Sequence, residues 1–153
     1  DSNSARTAMT RKCMSRPMSL LYNAGIKPSR YTRDYWLDYG SGKGFDADYL
    51  GVDKYDRYHY PSFLKPDHYS IVTCIYVLNV VSPETEVPIL REIMTCLPPI
   101  GLAYVSVRRD LPLEGTKTQR FVTLPFNCVY EDRGFAMYQV PKNKLEEYID
   151  SKV

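Results

Sequence analysis

Asp38-Tyr39-Gly40-Ser41-Gly42-Lys43-Gly44 is the stretch that decides how this chain folds. It continues Tyr35-Trp36-Leu37, an aromatic and apolar run with strand character. A strand that ends in alternating glycines lets the backbone turn tightly and lets a ligand approach without Cβ interference. Two phosphate-binding patterns fail on individual residues. The P-loop, Gly-x-x-x-x-Gly-Lys-Ser/Thr, fails because Lys43 is followed by Gly44. The dinucleotide fingerprint, Gly-x-Gly-x-x-Gly, fails because Phe45 stands where the last glycine belongs. What remains is acid-x-Gly-x-Gly-x-Gly at the end of a strand.

Outward from this turn, strand and helix signals alternate. Upstream, Ser15-Arg16-Pro17 followed by Met18, Leu20, Leu21 and Ala24 predicts a short helix capped by Ser15 and stopped at Gly25. Downstream, a helix over 44–50 and a strand over 51–56 are expected, then the β-branched run Tyr69–Ile75 as a buried strand. Val87, Leu90, Ile93, Met94 and Leu97 recur at helical spacing within 83–97. Thr85 as N-cap would leave Pro88 in the first turn, where its missing N–H is harmless. Leu102–Val107 reads as a further strand. Phe126–Tyr130 and Phe135–Val140 form a hairpin through Gly134, and Lys144–Ile149 a terminal helical turn. The connection 57–68 holds Pro61 and Pro66 and is expected to be irregular. This succession predicts an α/β protein: a mostly parallel, Rossmann-like sheet with helices on both faces and a C-terminal antiparallel hairpin.

The 153 residues allow one domain, 1–153, and contain no apolar run long enough to cross a bilayer. The net charge of +2 conceals an asymmetry: residues 1–33 carry seven basic side chains against Asp1 alone. Such a basic N-terminal arm attracts phosphates by its field, or docks on the acidic remainder of its own chain. The four cysteines, Cys13, Cys74, Cys96 and Cys128, are scattered, without a Cys-x-x-Cys pair. No metal site is expected from that spacing, and reduced thiols point to a cytoplasmic location.

The glycine motif resembles the first motif of class I S-adenosylmethionine-dependent methyltransferases. With Tyr55-Asp56-Arg57-Tyr58-His59-Tyr60-Pro61 and Tyr76-Val77-Leu78-Asn79-Val80-Val81, the chain resembles the small DNA phosphorothioation-associated methyltransferases and their phage relatives. Arg6-Thr7-Ala8 and Ser15-Arg16-Pro17 upstream, and Ser106-Val107-Arg108 and Gly115–Phe121 downstream, extend the likeness. The resemblance implies S-adenosylmethionine as cofactor, with its amino acid end over Gly40, Gly42 and Gly44. Asp38 would face the ammonium group and Arg16 the carboxylate, although Arg16 also suits a phosphate or surface contact. An acid after the second strand would take the ribose hydroxyls. Asp53 and Asp56 compete for that place; Asp56 lies closer to the usual spacing and is the one the resemblance selects, with Tyr58 then near the adenine. Ile75 and Tyr76 would flank the methionine part, and Asn79 would bond ligand or backbone.

The acceptor side is less defined. Neither the Asp/Asn-Pro-Pro-aromatic signature of amino-methylating DNA enzymes nor the Pro-Cys of cytosine C5 enzymes is present, since Cys74-Ile75-Tyr76-Val77 occupies the relevant strand end. Tyr76, Asn79 and Arg108 are the catalytic candidates. Arg108, Thr118, Gln119 and Arg120 are the substrate-side candidates, on the loop that follows the 102–107 strand. The expected function is methyl transfer to an acceptor that includes nucleic acid among its candidates, through the basic arm. A catalytically silent binding subunit and a cofactor-degrading enzyme are the alternatives. So short a chain also leaves room for a homo-oligomer or a partner subunit to supply recognition.

Overall fold

The computed structural model describes residues 8–153; Arg6 and Thr7, which entered the resemblance above, lie outside them. Strands β1 (Trp36–Tyr39), β2 (Asp53–Tyr55), β3 (Ile71–Ile75), β4 (Leu102–Arg108), β5 (Asn127–Glu131) and β6 (Phe135–Pro141) form one sheet in the order β2-β1-β3-β4-β6-β5. The pairs β1–β2, β1–β3 and β3–β4 are parallel; β6 runs antiparallel to both β4 and β5. The chain winds from β1 outward to β2, then returns to build in the opposite direction from β3. The strand order therefore reverses between β1 and β3, and the carboxyl ends of these two strands open a crevice where ligands of such sheets bind.

Helices α1 (Arg16–Asn23), α2 (Phe45–Leu50), α3 (Pro83–Cys96) and α4 (Lys142–Asp150) accompany the sheet. Period-two alternation along the strands divides the core into two clusters. Leu37, Val72, Cys74, Ala103, Val105 and Tyr138 pack with Leu90 and Ile93 of α3 and with Leu145 and Ile149 of α4. Their strand neighbours Trp36, Tyr104 and Met137 join Met18 and Leu21 of α1 and Ala47 of α2.

Local signals account for most boundaries. Ser15 caps α1, its hydroxyl accepting the Met18 N–H at 3.3 Å, and Pro17 sits in the first turn, where no N–H is needed. The hairpin turns on Asp132, whose carboxylate accepts the N–H groups of Gly134 at 2.7 Å and Phe135 at 3.0 Å. Residues 57–70 contribute no strand, as their prolines imply, so β2 is left as the sheet edge. Two expectations need correction. Helix α3 starts at Pro83 with Ser82 as N-cap, not with Thr85, and Pro88 lies inside it. The missing Pro88 N–H would have bonded the Glu84 carbonyl, and both residues are exposed, so that carbonyl is left open to solvent. The C-terminal element is a nine-residue helix rather than a single turn.

A candidate ligand cleft at the strand-order switch

The crevice is a cleft of about 570 Å³, bounded by the glycine loop, the first residues after β2 and β3, the end of β4, and residues 8–16. The volume falls within the roughly 300–1,000 Å³ of small-molecule sites.

The glycine loop is held from β2. Gly40 and Ser41 both donate their N–H to the Tyr55 carbonyl, at 2.7 and 3.0 Å. Gly40 has φ +73°, and a Cβ there would collide with the Val77 side chain, so neither conformation nor space admits another residue. The Ser41 hydroxyl lines the cleft, buried and without a hydrogen-bond partner among the described residues.

Three carboxylates gather beneath the loop. Asp38, the penultimate residue of β1, is 3% exposed. The parallel register that sets Asp38 beside Thr73 lets the threonine hydroxyl donate to it at 2.9 Å, and Trp36 Nε1 donates in turn to that hydroxyl at 3.2 Å. Burial pushes the Asp38 carboxyl up to about 8; Asp46 adds to the rise, Thr73 and Arg11 oppose it, and Asp56 adds a little more. The shift favours the protonated form at neutral pH. Asp46, in the first turn of α2, accepts both the backbone N–H of Ser15 at 2.9 Å and its hydroxyl at 2.6 Å, which fastens the start of α1 to the start of α2. Asp56 accepts Gly42 N–H on Oδ2 at 2.9 Å, and the N–H groups of Tyr58 and His59 on Oδ1 at 3.0 and 3.1 Å.

The competition between Asp53 and Asp56 is resolved by strand direction as far as placement goes. β2 runs parallel to β1, so its carboxyl end meets the cleft and Asp56 lines it. Asp53 opens the strand at the far end, where its carboxylate accepts the Tyr69 hydroxyl at 2.6 Å.

Of the other expected residues, Arg16, Gly40, Gly42, Gly44, Ile75, Tyr76, Arg108 and Gln119 line the cleft, whereas Tyr58, Asn79, Thr118 and Arg120 do not. Tyr76 has φ +60°, an uncommon conformation for a residue with a side chain, set where β3 breaks into the loop. Burial raises its phenol above the usual value, while Arg16, Arg11 and Arg108 pull the other way. Arg16 donates to Asp132 at 2.7 Å and lies over the Phe135 ring. Arg108 forms a bidentate pair with Asp110 at 2.9 and 3.0 Å.

Asn79 is fully buried and bonds backbone. Its side chain accepts Arg108 N–H at 2.8 Å and donates to the Arg120 carbonyl at 3.0 Å, while its own carbonyl accepts Arg120 N–H at 2.7 Å. Arg120 turns inward, donating to the Val81 carbonyl at 2.6 Å and to Glu86 at 2.8 Å. Both residues brace the loop that carries Gln119. Thr118 is exposed on that loop. Sequence reasoning passed over Arg11, Ser41, Asp46 and Asp110, all of which line the cleft. Ser41 stands at a variable position of the glycine motif and Asp46 in the turn that follows it, so both had positions that could have marked them; Arg11 and Asp110 belong to no spaced motif.

No protein-family model and no curated protein matches the chain. Solved structures do match in fold. S-adenosylmethionine-dependent methyltransferase SibL, in its apo form, is 13% identical with a TM-score of 0.52, over 80% of this chain and 55% of that one. Mitomycin 7-O-methyltransferase MmcR is 12% identical with a TM-score of 0.50, over 81% of this chain and 53% of that one. A 1,6-didemethyltoxoflavin-N1-methyltransferase from Burkholderia thailandensis, with 1,6-didemethyltoxoflavin and S-adenosylhomocysteine bound, is 15% identical with a TM-score of 0.50, over 88% of this chain and 64% of that one. The chain thus spans between about half and two thirds of the length of these neighbours. The fold is the α/β fold of class I S-adenosylmethionine-dependent methyltransferases.

Proposed function

We propose that the chain binds S-adenosylmethionine in this cleft and transfers its methyl group. The observation that carries the reading is Asp38, a buried carboxyl below the glycine loop, with Asp46 and Asp56 beside it and its pKa raised by that burial. S-adenosylmethionine brings an ammonium and a sulfonium, and a cation at this position is what would draw Asp38 into its ionised form. The unpartnered Ser41 hydroxyl fits a polar ligand group as well. Arg16 suits the ligand carboxylate, and Ile75 and Tyr76 suit its methionine part. Asp56 keeps about one of its roughly four acceptor positions unused, enough for a ribose hydroxyl. The placing of Tyr58 near adenine and the kinship with phage and phosphorothioation-associated enzymes rest on the resemblance alone; a reducing cytoplasm is the reading that the four free, scattered cysteines support. Asn79 and Arg120 act as positioning residues.

Recognition of nucleic acid by a free basic arm has weaker support, because Arg11 and Arg16 of that arm line the cleft. A ligand that binds the native state raises its melting temperature. S-adenosylmethionine and S-adenosylhomocysteine are expected to do so, NAD and ATP not. Gly42→Asp, which sets a carboxylate against Asp56 at a residue of positive φ, is expected to abolish the shift. If that variant binds as the parent does, the cleft is not the cofactor site. Cofactor consumed without acceptor would indicate degradation instead of transfer, and binding with neither would indicate a silent subunit.

A further inference from the structure

The two ends of the cleft differ in charge. Asp38, Asp46 and Asp56 lie under the glycine loop; Arg11, Arg16 and Arg108 line the other end with Tyr76 and Gln119. Arg16 is paired with Asp132 and Arg108 with Asp110, whereas Arg11 makes no ion pair among the described residues. All three guanidinium groups act on the Tyr76 phenol. That phenol stays protonated at neutral pH and faces the cleft as a hydrogen-bond donor.

At the end of the cleft lined by the arginines, Asp110 is the one carboxylate among the described lining residues. Arg108 holds it in a bidentate pair, whereas Asp38, Asp46 and Asp56 lie under the glycine loop, on the side of the proposed cofactor. Neither His59 nor His68 lines the cleft. An amine acceptor would arrive protonated at neutral pH and need a base before it could attack. A carboxylate needs none.

Resting on the proposed cofactor, we infer that the methyl acceptor is an organic acid, bound as its anion against Arg11, Arg108 and Tyr76 and methylated on a carboxylate oxygen. The oxygen–carbon bond forms as the carbon–sulfur bond breaks, and that bond's electron pair goes to sulfur. The sulfonium becomes a neutral thioether, the carboxylate a neutral ester, and no proton moves. Guanidinium contacts to the second carboxylate oxygen orient the acid and leave the attacking oxygen unmasked; positioning is the chief means of acceleration for such an in-line transfer.

The test uses the full chain saturated with S-adenosylhomocysteine. Ligand-observed NMR follows ring-matched sets of aryl acids, amides and amines, of which benzoate, benzamide and benzylamine are the parents. Acids are expected to bind about tenfold or more tighter than their amides, as charge-assisted contacts do. Arg11→Gln and Arg108→Gln should each remove that preference, with S-adenosylhomocysteine still bound. Arg11→Gln, outside the core, keeps the test decisive should Arg108→Gln fail to fold. With S-adenosylmethionine in place of the product, a bound acid should yield an ester that releases methanol in alkali. Binding of S-adenosylhomocysteine without a preference for acids, a preference for amines, or a preference that survives both substitutions overturns the inference alone. Failure of S-adenosylhomocysteine to bind overturns the proposed function, and the inference falls with it.

Discussion

Asp38→Asn separates the electrostatic account of the cleft from a purely steric one. The Asp38 carboxyl titrates near 3.8 when solvated and at about 8 in the fold, with desolvation the main cause. A folded-state pKa raised above the unfolded one means that the native state binds the extra proton between these values. The contribution to stability is complete below about pH 4 and is lost as pH rises to about 8, at roughly 1.4 kcal/mol per pH unit. Across the whole window the loss is on the order of 6 kcal/mol. Asparagine is nearly isosteric and does not titrate, and its Oδ1 still accepts the Thr73 hydroxyl. The stability difference, variant minus parent, should therefore be flat below pH 4, climb through neutrality and level off above pH 8. The order-of-magnitude gain corresponds to roughly 10–20 °C in melting temperature for a chain of this size. Urea denaturation of both proteins between pH 4 and 9 measures it. Calorimetry with S-adenosylmethionine near pH 7, in two buffers of different ionisation enthalpy, should show proton release on binding to the parent and none with the variant. Parallel stability profiles across that range would refute the raised pKa and with it the principal support for a cationic ligand.

Two further perturbations address the loops. Asn79→Ala strips the Arg108 N–H and the Arg120 carbonyl of a partner and should cost about 1–3 kcal/mol per group left unsatisfied, read by urea denaturation. If Asn79 acts only as a brace, the variant should keep cofactor affinity once folded, as thermal shift at saturating S-adenosylmethionine would report. At Tyr76, with φ +60°, glycine and alanine remove the same ring but differ in backbone cost, so Tyr76→Gly should be about 1–2 kcal/mol more stable than Tyr76→Ala. Equal stabilities would show that the left-handed conformation is not held in solution.

The parts legible in the chain are those written in local chemistry. Alternating glycines after Asp38, the Ser15 cap, the apolar spacing of 87–97 and the Gly134 turn each act over a few residues, and each led to an element that the structure contains. Pro88 shows the limit of such reasoning. A rule that moves proline to a first turn ignores that an exposed carbonyl near a helix start can turn to water, so α3 begins earlier than the rule allows.

By itself, the sequence determined the strand–glycine–helix turn and the order of elements, because backbone propensity and hydrophobic period are properties of neighbours. Tertiary structure alone decided which acid reaches the cleft, since Asp53 and Asp56 differ only by the direction in which β2 runs beside β1. It also joined Ser15 to Asp46 across 31 residues, drew Arg11 and Arg16 from a basic arm into the wall of the cleft, and turned Asn79 from a candidate ligand contact into a brace. The raised pKa of Asp38 belongs to this second group. Its cause is desolvation, which exists only after α1, α2 and the sheet have closed around the carboxyl.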